Sequence, residues 1–458
     1  MNCDGISCAT PEPEPHKRVQ SYIKCAPAVG RRGFAMVTDK NPPEGGLIGP
    51  PPSTDLGSLW SSQQNSAFPT IKLGYARSYD VIIVGAGING ALVAEALCDG
   101  TRTMLIVDRR APASGGTSAS TALIQHEIDT PLSTLNDAIG EDRASAFWHR
   151  SANAVERLCQ RVSDLHIACG LERKHTLYLA GTELDADGMA NEAEARNRTG
   201  IRAHFLRADC LKDQYGISRP GAIVSEISAS ANPVQLALGL LKEVSQRGGV
   251  IASPVEIIDV IPSGGRVHLL TTSGDYLSAA QVIFCTGCEF PSALTNIDHA
   301  AASTWAVATA PNAPVPDWMH RTLVWEASDP YLYIRLTPDG RLVAGGEDEE
   351  GGHAFRSESK HHEKSRLILE KVSGLLNVDV GPAEFRWSGT FGKTPSGLPH
   401  IGAVPGLPHV YACMGFGGNG MTFSMIAADL LKAELNGRSD PDASLFAFPD
   451  GEHGRLSA

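Results

Sequence analysis

The chain has 458 residues, of which 42% are apolar and 20% are charged. These proportions are ordinary for a globular protein, and the length leaves room for two domains. The formal charge is −12, so the chain lacks the basic surface that nucleic-acid binding needs. No apolar run approaches the roughly 20 residues of a membrane-spanning helix. We therefore predict no nucleic-acid partner and no membrane span.

The first 67 residues differ in composition from the remainder. The stretches "TPEPEP", "NPPEGG" and "GPPPS" are rich in proline and glycine and lack apolar periodicity. Such a segment buries too little apolar surface to offset the entropy lost on ordering. We predict that residues 1–67 form a disordered extension. They also lack the apolar run of a secretory signal, which favours a cytoplasmic protein.

A nucleotide-binding pattern begins at Val81. The run Val81–Val84 predicts a strand buried on both faces, and "INGALVAEAL" predicts a helix directly after it. The pattern G-x-G-x-x-G begins directly after the strand and extends into the helix. Its first glycine permits a tight turn, its second lets the backbone approach a pyrophosphate, and its third allows the helix to pack closely on the strand. The residues predicted to bind a dinucleotide here are Gly85, Ala86, Gly87, Ile88, Asn89 and Gly90.

The next predicted strand, "TMLIVD", ends at Asp108. This residue lies 18 positions after Gly90, near the spacing of the acid that binds a ribose hydroxyl. An acid at this position disfavours a 2′-phosphate, so FAD or NAD is preferred over NADP. Arg109 follows directly and is included in the predicted cofactor site.

Two cysteines form the pattern C-T-G-C at Cys285 and Cys288. They could be a redox pair or half of a zinc site, but the sequence has no second C-x-x-C. We interpret Cys285 as the end of the buried strand "AAQVIFCTG" and predict no metal site. The ten cysteines are scattered, which favours a reducing compartment.

A second G-x-G-x-x-G lies near the C-terminus at Gly415, Gly417 and Gly420. A predicted strand, "HVYACM", precedes it, and a predicted helix, "GMTFSMIAADLLKAEL", follows. No second strand with an acid comes after the helix, so this copy is not a complete nucleotide-binding unit. It could place a helix N-terminus against the edge of a flavin ring. It could equally be a glycine turn that only permits close packing.

Taken together, these segments resemble the D-amino-acid oxidase, glycine oxidase and sarcosine oxidase (DAO) family of FAD enzymes. The match runs in the family's order from about Tyr79 to Leu435. It includes, in this order, "VIIVGAGINGALVAEAL", "GGTSASTALI", "ANPVQLALGLLKEVSQRGGVI", "VIFCTG", "GRLVAGGED", "TPSGLPHIG" and "GFGGNGMTFS".

The resemblance implies an α/β fold. A Rossmann-like FAD-binding domain is interleaved with a mostly antiparallel substrate-binding domain. The FAD domain would comprise 68–130, 228–298 and 385–437, and the substrate domain 131–227 and 299–384, leaving 438–458 as a tail.

Several cofactor contacts are implied by the resemblance. Thr117 and Ser118 would lie near the pyrophosphate and ribityl chain, and the backbone of Val255 would contact the adenine. The remaining contacts would come from Thr286 and Gly287 beside the cofactor and from Gly418, Asn419, Gly420 and Met421 at the pyrimidine edge. Without a cofactor, Thr117 would be a turn residue and Val255 a core residue.

The chain departs from the family pattern where substrate and flavin are usually held. Phe391 stands in place of a carboxylate-binding arginine of the amino-acid oxidases. Gln125 and Thr422 replace an arginine and a lysine of the sarcosine-type enzymes. Gly389 replaces the cysteine that bonds the flavin, and Val343 replaces the oxygen-activating lysine. We therefore predict non-covalent FAD and leave oxidase and dehydrogenase open.

Substrate-binding candidates follow from "DPYLYIRLTPDG", which predicts a strand before a turn. Alternation places Tyr331, Tyr333 and Arg335 on one face, where the guanidinium could grip a carboxylate. Arg335 could instead pair with an acid on the next strand. His126 could orient the substrate or accept its proton, or make only a structural hydrogen bond.

Other side chains near these segments are weaker candidates. Lys393, His400 and Trp387 could line the site, whereas His361 and His362 lie in a charged stretch and are expected to be solvated.

The predicted activity is FAD-dependent oxidation of a C–N bond in an amine or amino acid, by hydride transfer to the flavin. Oxygen or another acceptor would reoxidise the cofactor. The alternatives are a 2-hydroxy-acid or polyol-phosphate dehydrogenase, and an FAD-bearing subunit of a larger dehydrogenase.

Overall fold

The computed structural model describes residues 58–63, 67–73, 77–289, 300–352 and 357–449. They form two β-sheets with helices packed against them, and the chain passes repeatedly between the two. The first sheet has the strand order β16-β17-β10-β1-β2-β7, with β9 and β8 continuing from β10. Its strands are β1 (Arg77–Val84), β2 (Met104–Val107), β7 (Val250–Ala252), β8 (Ile257–Ser263), β9 (Arg266–Thr271), β10 (Tyr276–Phe284), β16 (His400–Ala403) and β17 (Val410–Met414).

The centre of the first sheet is parallel, as the apolar runs predict. β1 pairs in parallel with both β2 and β10, and β17 pairs in parallel with β10. The middle of β1 and all of β2 are buried, because helices cover one face and a second apolar cluster covers the other. Parallel strands end at the same edge of a sheet, so the loops after β1, β2 and β10 meet there.

The second sheet is mostly antiparallel, with the order β15-β11-β14-β13-β12-β4-β6-β3 and β5 paired to β6. Only β12 and β4 pair in parallel among its described strands. Its strands are β3 (Leu123–Gln125), β4 (Glu172–Leu179), β5 (His204–Arg207), β6 (Gly221–Ser230), β11 (Ala300–Thr309), β12 (Thr322–Glu326), β13 (Leu332–Leu336), β14 (Leu342–Glu350) and β15 (Ala383–Lys393).

The helices connect and cover these sheets. Two of them span the residues that the sequence predicts, since α2 begins at Ile88 within the first glycine loop and α10 at Gly420, the last glycine of the second. The helices are α1 (Leu59–Ser62), α2 (Ile88–Leu97), α3 (Gly116–Ala119), α4 (Leu132–Ile139), α5 (Glu141–Asp164), α6 (Ala186–Arg198), α7 (Ala208–Tyr215), α8 (Pro233–Gln246), α9 (Glu358–Leu376), α10 (Gly420–Leu435) and α11 (Ala443–Phe446), with a 3-10 turn at Asp317–Arg321. Within the described ranges, none is long and apolar enough to cross a bilayer.

The chain changes sheets earlier and later than predicted. β3 pairs with β6, so the second sheet already begins before the boundary expected at residue 130. β15 pairs with β11 along its length, so the boundary expected at 385 falls inside a strand of the second sheet. Both strands belong to the second sheet and also line a cavity, through Leu123 and Gln125 of β3 and residues 389–392 of β15. The domain boundaries therefore lie at the ends of these strands that face the cavity.

Part of the predicted disordered extension is folded. Leu59 and Trp60 are buried at 1% and 3% exposure, and the indole Nε1 of Trp60 donates to the carbonyl oxygen of Ser120 at 2.6 Å. Ile71 forms a parallel bridge with Ala252 at the sheet edge. The prediction of disorder is therefore wrong for 58–63 and 67, while residues 1–57 lie outside the described part of the chain.

The predicted C-terminal tail also packs on the body of the protein. Phe446 is fully buried and its ring stacks on Phe147 at 5.0 Å, while Arg150 forms an ion pair with Asp440 at 2.8 Å. Residues 438–449 thus complete the core beside α5, and residues 450–458 lie outside the described ranges.

Replacing Trp60 with phenylalanine tests whether α1 contributes to stability. Trp60→Phe keeps an aromatic ring but removes the indole N–H that donates to Ser120. We therefore expect a loss of about 1–3 kcal/mol in the free energy of unfolding. Urea unfolding followed by far-ultraviolet circular dichroism measures this loss. An unchanged unfolding midpoint would show that α1 does not pack on the core.

Candidate active site

A cavity is lined by residues of both sheets. Its lining includes the first glycine loop, the ends of β2 and β10, the second glycine loop and the tyrosines of the second sheet. The two glycine patterns of the sequence therefore face one continuous space. The predicted cofactor residues that line it are Gly85, Gly87, Ile88, Asn89, Asp108, Arg109, Thr117, Val255, Thr286, Gly287, Gly418, Asn419, Gly420 and Met421.

The three glycines of the first loop have different surroundings. Gly85 has φ +114°, and a Cβ there would lie 2.3 Å from the carbonyl oxygen of Cys285. A Cβ at Gly90 would lie 1.9 Å from the oxygen of Gly85, so only glycine lets α2 begin this close to β1. At Gly87, a Cβ would contact only the hydroxyl of Thr117 among the described residues, at 3.0 Å. Gly85 and Gly90 shape the loop, whereas Gly87 leaves open the space that a pyrophosphate would use.

The hydroxyl of Thr117 lines the cavity beside the first glycine loop. It accepts a hydrogen bond from the backbone N–H of Ile88 at 2.9 Å, at the start of α2. Ser118 is not part of the cavity lining, and its hydroxyl donates to the carbonyl of Gly115 at 2.9 Å. The positive end of α2 and the hydroxyl of Thr117 form a suitable cradle for phosphate oxygens.

Asp108 is held at the end of β2 by two backbone donors. Its carboxylate accepts from the N–H of Ala86 at 2.7 Å and from the N–H of Arg110 at 2.8 Å. Burial raises the pKa of Asp108, which these two hydrogen bonds oppose. Because a carboxylate has about four acceptor sites, two remain for ribose hydroxyls. The predicted role of Asp108 is compatible with this geometry.

Arg109 and Val255 make protein contacts at this nucleotide end. The guanidinium of Arg109 forms an ion pair with Glu289 and lies 3.5 Å from Glu256. The N–H of Val255 donates to the carbonyl of Asp108 at 2.7 Å. A backbone contact from Val255 to adenine would therefore use its carbonyl oxygen.

The second glycine loop is tied to the chain after β3. Asn419 donates its side-chain N–H to the carbonyl of Glu127 at 2.6 Å, and the Thr422 hydroxyl donates to the carbonyl of Gln125 at 2.8 Å. The N–H of Gly418 donates to the carboxylate of Asp129 at 3.2 Å. The first N–H groups of a helix have no partner within it, so the start of α10 presents donors at this end of the cavity.

The two cysteines of C-T-G-C, Cys285 and Cys288, are free thiols in the structure. The thiol of Cys288 lies 3.5 Å from the carbonyl of Thr390. Burial raises the pKa of Cys288 to about 12, so the reactive thiolate is suppressed. This agrees with the interpretation of C-T-G-C as a strand end.

The two predicted tyrosines lie at the start of β13 and directly before it. Tyr331 and Tyr333 both line the cavity, with ring centroids 5.6 Å apart. Burial raises the pKa values of both Tyr331 and Tyr333 above the usual value for tyrosine. The nearby charge of Asp348 adds to this effect at both residues. Both hydroxyls are therefore neutral hydrogen-bond donors at neutral pH.

Arg335 is not available to a substrate. Its guanidinium is 1% exposed and donates to the carbonyl oxygens of Thr121 at 2.5 Å and Ala231 at 2.9 Å. It also lies over the ring of Trp60 at 5.0 Å. Burial lowers the pKa of Arg335 to about 9. The prediction of a carboxylate anchor is corrected because the strand carries this side chain past the cavity and under α1.

His126 is also outside the cavity lining. It is fully buried, its Nδ1 lies 2.9 Å from the carbonyl oxygen of Ile227, and its ring packs edge-on against Trp148. Burial lowers the pKa of His126, so the ring is neutral. The predicted role in catalysis is replaced by the structural hydrogen bond that the sequence left as an alternative.

The positions that depart from the family pattern are occupied by non-reactive groups. Phe391 lines the cavity, and Val343 is fully buried in the core. A Cβ at Gly389 would lie 2.9 Å from the Cβ of Ala119, which leaves no room for a larger side chain without a shift. No side chain at 389 can therefore bond the flavin.

The weaker candidates have structural contacts. Trp387 is 4% exposed and donates to the carbonyl of Ala119 at 2.9 Å. His400 lies 5.5 Å from the ring of Phe448. The expectation that His361 is simply solvated is wrong, since its Nε2 lies 3.1 Å from the hydroxyl of Ser388. His362 is exposed.

Two carboxylates that sequence reasoning missed lie near the tyrosines. Asp129 lines the cavity beside the second glycine loop, and Asp348 lies close enough to influence the pKa of Tyr331. Asp129 follows His126 by three residues, in the segment directly after the predicted cofactor residues Thr117 and Ser118. This position in the chain was the signal that could have predicted Asp129 as a cavity residue. Asp348 lies on β14, the strand that pairs with the strand of Arg335.

The comparisons with known proteins agree with this architecture. A model of the DAO family, described as FAD dependent oxidoreductase, matches residues 80–434. The chain belongs to this family. It is therefore an FAD-dependent oxidoreductase, and the predicted family, fold class and cofactor are confirmed.

Individual relatives are distant. Glycine oxidase from Geobacillus kaustophilus is 24% identical over 390 residues, covering 82% of this chain and 97% of the relative. A probable oxidoreductase, OrdL, from Haemophilus influenzae is 22% identical over 406 residues, covering 85% and 90%. The crystal structure of the Geobacillus glycine oxidase matches with a TM-score of 0.68 at 21% identity, covering 81% of this chain and 98% of that one. This likeness shows the shared fold.

Replacing Asn419 with alanine tests the link between α10 and the segment after β3. Asn419→Ala removes the donor to Glu127, so we expect FAD to remain bound while the helix start shifts relative to the cavity. Such misplacement should slow anaerobic flavin reduction between about 10- and 100-fold. Stopped-flow absorbance measures this rate. An unchanged rate constant with full flavin content would contradict a positioning role.

Proposed function

We propose that the chain oxidises the C–N bond of an amine or amino acid, with FAD as its cofactor. The observation that carries this proposal is the continuous cavity, which joins a phosphate-type loop at 85–90 to a helix start at 417–421 and to Tyr331 and Tyr333. The family match supports the cofactor. The name of the relative glycine oxidase supports C–N oxidation.

When bound, FAD supplies the acceptor for a hydride that leaves the carbon beside the substrate nitrogen. Loss of that hydride and of a proton from nitrogen converts the amine to an imine. Water then hydrolyses the imine to a carbonyl compound and releases ammonia or the remaining amine. The two electrons pass finally to oxygen or to another acceptor.

The residues of the cavity would contribute binding and electrostatics. Tyr331 and Tyr333 would donate hydrogen bonds to the substrate as neutral hydroxyls. Trp325 and Phe391 would exclude water from the reacting carbon. The N-terminus of α10 would stabilise the negative charge that accumulates at the cofactor edge during the reaction. An obligatory base is not required if the reacting nitrogen binds neutral.

The alternative of hydroxy-acid or polyol-phosphate oxidation has less support. A phosphate or a dicarboxylate needs several cations that converge on it. Among the described residues that line the cavity, the arginines are Arg109 and Arg110, and both contact Glu289 at the nucleotide end. We also propose a cytoplasmic location, since the seven described cysteines are free thiols.

Anaerobic mixing of the purified protein with two substrate pools tests the proposal. One pool contains amines and amino acids, and the other contains hydroxy acids and polyol phosphates. We expect the first pool to bleach the visible flavin absorbance. Bleaching by the second pool alone would contradict C–N oxidation. Subsequent admission of oxygen distinguishes an oxidase, which recovers its colour within seconds, from an FAD-bearing subunit that needs another acceptor.

A further inference from the structure

We infer that the substrate carries a second, cationic nitrogen and that Asp129 binds it. The substrate class is then an alkyl diamine or a longer polyamine. This inference rests on the proposed C–N oxidation and names the substrate of that same site.

Asp129 is held at the cavity wall with part of its carboxylate unused. One oxygen, Oδ2, accepts the N–H of Gly418 at 3.2 Å, and a Cβ at Gly417 would lie 2.6 Å from the same oxygen. The other oxygen, Oδ1, accepts no hydrogen bond from the described part of the chain. Asp129 is accessible through the cavity that it lines, although the surrounding protein desolvates its carboxyl group and raises its pKa. An ammonium group in the cavity could therefore reach Oδ1.

A second carboxylate, Asp348, lies on β14 and is not among the residues that line the cavity. Both of its oxygens are buried, and neither has a hydrogen-bond partner of good geometry among the described residues. Burial raises the pKa of Asp348, and the nearby hydroxyls of Thr304 and Tyr331 oppose this shift. The charges of Asp348 and Asp129 both add to the effect of burial on Tyr331, so both acids lie within electrostatic range of that tyrosine.

Several buried polar groups near the cavity have no hydrogen-bond partner within the described ranges. The acceptors include both oxygens of Asp348 and Oε1 of Gln125, of which Gln125 lines the cavity. Nε1 of Trp325 is a donor, and the hydroxyl of Thr390 can donate or accept. Buried acceptors without donors are costly, so a ligand rich in N–H groups would satisfy these three acceptors.

The balance of charge favours a cation over an anion. Arg335 is enclosed by carbonyl oxygens. Burial raises the pKa of Asp129 and of Asp348, and the charge of Lys393 opposes this shift at both acids. One lysine against two carboxylates leaves a net charge of −1 when both acids are ionised. A substrate carboxylate would add a third negative charge, whereas one ammonium group neutralises the cluster.

The bound ammonium and the reacting amine must be different nitrogens. A carboxylate stabilises the protonated form of an amine that it contacts. Hydride loss needs a neutral nitrogen whose lone pair can form the imine. A nitrogen held by Asp129 therefore stays charged, and the C–N bond that breaks lies elsewhere in the same molecule.

A matched ligand series tests the inference on the FAD-loaded protein. Butane-1,4-diamine, butylamine and 4-aminobutanoate share a reacting amine and differ in the charge at the far end. Diamines of three to six carbons cover the unknown spacing. We expect the best diamine to bind about tenfold more tightly than butylamine, and 4-aminobutanoate to bind most weakly. The dissociation constants come from anaerobic titration of the oxidised flavin spectrum and from saturation of the reduction rate.

Variants assign the effect to Asp129. Asp129→Asn should raise the dissociation constant of the diamine about tenfold and leave that of butylamine unchanged. Asp129→Glu should retain the preference, and Asp213→Asn, at an exposed position in α7, should behave as the unaltered protein. Equal diamine affinity in Asp129→Asn and the unaltered protein would overturn the inference. A slower limiting reduction rate with unchanged affinity would also overturn it, because Asp129 would then act as a base.

The failure of the proposed function gives a different result. If no amine bleaches the flavin and hydroxy acids do, C–N oxidation itself is wrong. If amines bleach it but butylamine or 4-aminobutanoate binds as tightly as every diamine, only the cationic anchor is wrong.

Discussion

Gly87→Val is expected to produce a folded protein that contains no FAD. A Cβ at Gly87 would contact only the Thr117 hydroxyl among described atoms, so the fold should tolerate the change. The two valine methyl groups would nevertheless project into the part of the cavity where the loop backbone approaches a pyrophosphate. The ratio of visible to ultraviolet absorbance after purification measures the flavin content, and far-ultraviolet circular dichroism measures the fold.

Two other glycines provide controls for this experiment. No described atom lies within 4 Å of a Cβ placed at Gly374, in α9, so the Gly374→Val protein should retain full flavin. Gly90→Ala should impair folding itself, because its Cβ would lie 1.9 Å from the oxygen of Gly85. A yellow Gly87→Val protein with one flavin per chain would show that the pyrophosphate lies elsewhere.

Arg196→Ala is expected to destabilise the protein by about 3–5 kcal/mol. Arg196 is 1% exposed in its side chain and contacts the carboxylates of Glu127 at 2.9 Å and Glu192 at 2.7 Å. Removing the guanidinium would leave two buried carboxylates without their charge partner. Glu192 also accepts the N–H groups of Leu132 at 3.0 Å and Ser133 at 2.8 Å at the start of α4.

This network fixes the segment that carries Asp129. Its loss should therefore lower flavin content as well as the midpoint of urea unfolding. Arg198→Ala, in the same helix, removes an exposed pair with Glu194 at 3.3 Å and should change stability by less than about 1 kcal/mol. Equal midpoints for the two variants would contradict the structural role of Arg196.

The same network predicts a loss of stability in acid. Burial opposes ionisation of Glu192, but the charge of Arg196 and the hydrogen bonds from Ser133 outweigh it and lower the pKa. A carboxyl whose pKa is lower in the folded state stabilises the fold above its unfolded pKa. That stabilisation is lost as pH falls through the folded pKa, so the difference between the unaltered protein and Arg196→Ala should shrink in acid.

The sequence predicted the cofactor side of this fold well, because its signals are local. A β-branched run, a glycine turn and a helix all fall within twenty residues, and the structure has α2 at Ile88–Leu97 as the pattern indicates. The same holds for α10 after the second loop. Asp108 could be placed because parallel strands bring their ends to one edge.

The substrate side depends on contacts between distant parts of the chain. Alternation predicted that Tyr333 and Arg335 share a face of β13, yet Arg335 is covered by Trp60, which lies 275 positions earlier in the chain. The alternation of residues along a strand does not predict which distant residue will pack over one of its side chains. Asp129 likewise contacts a glycine loop 289 positions away. The pattern of residues could therefore indicate candidate side chains but not which of them reach the cavity.

Product analysis of a single anaerobic turnover tests the central claim most directly. The purified protein is mixed with an amine that bleaches its flavin, and the reduced flavin, the carbonyl product and the released ammonia or amine are quantified. C–N oxidation predicts equal amounts of all three. Reduced flavin accompanied by a carbonyl product that retains the nitrogen, with no release of ammonia or amine, would contradict it.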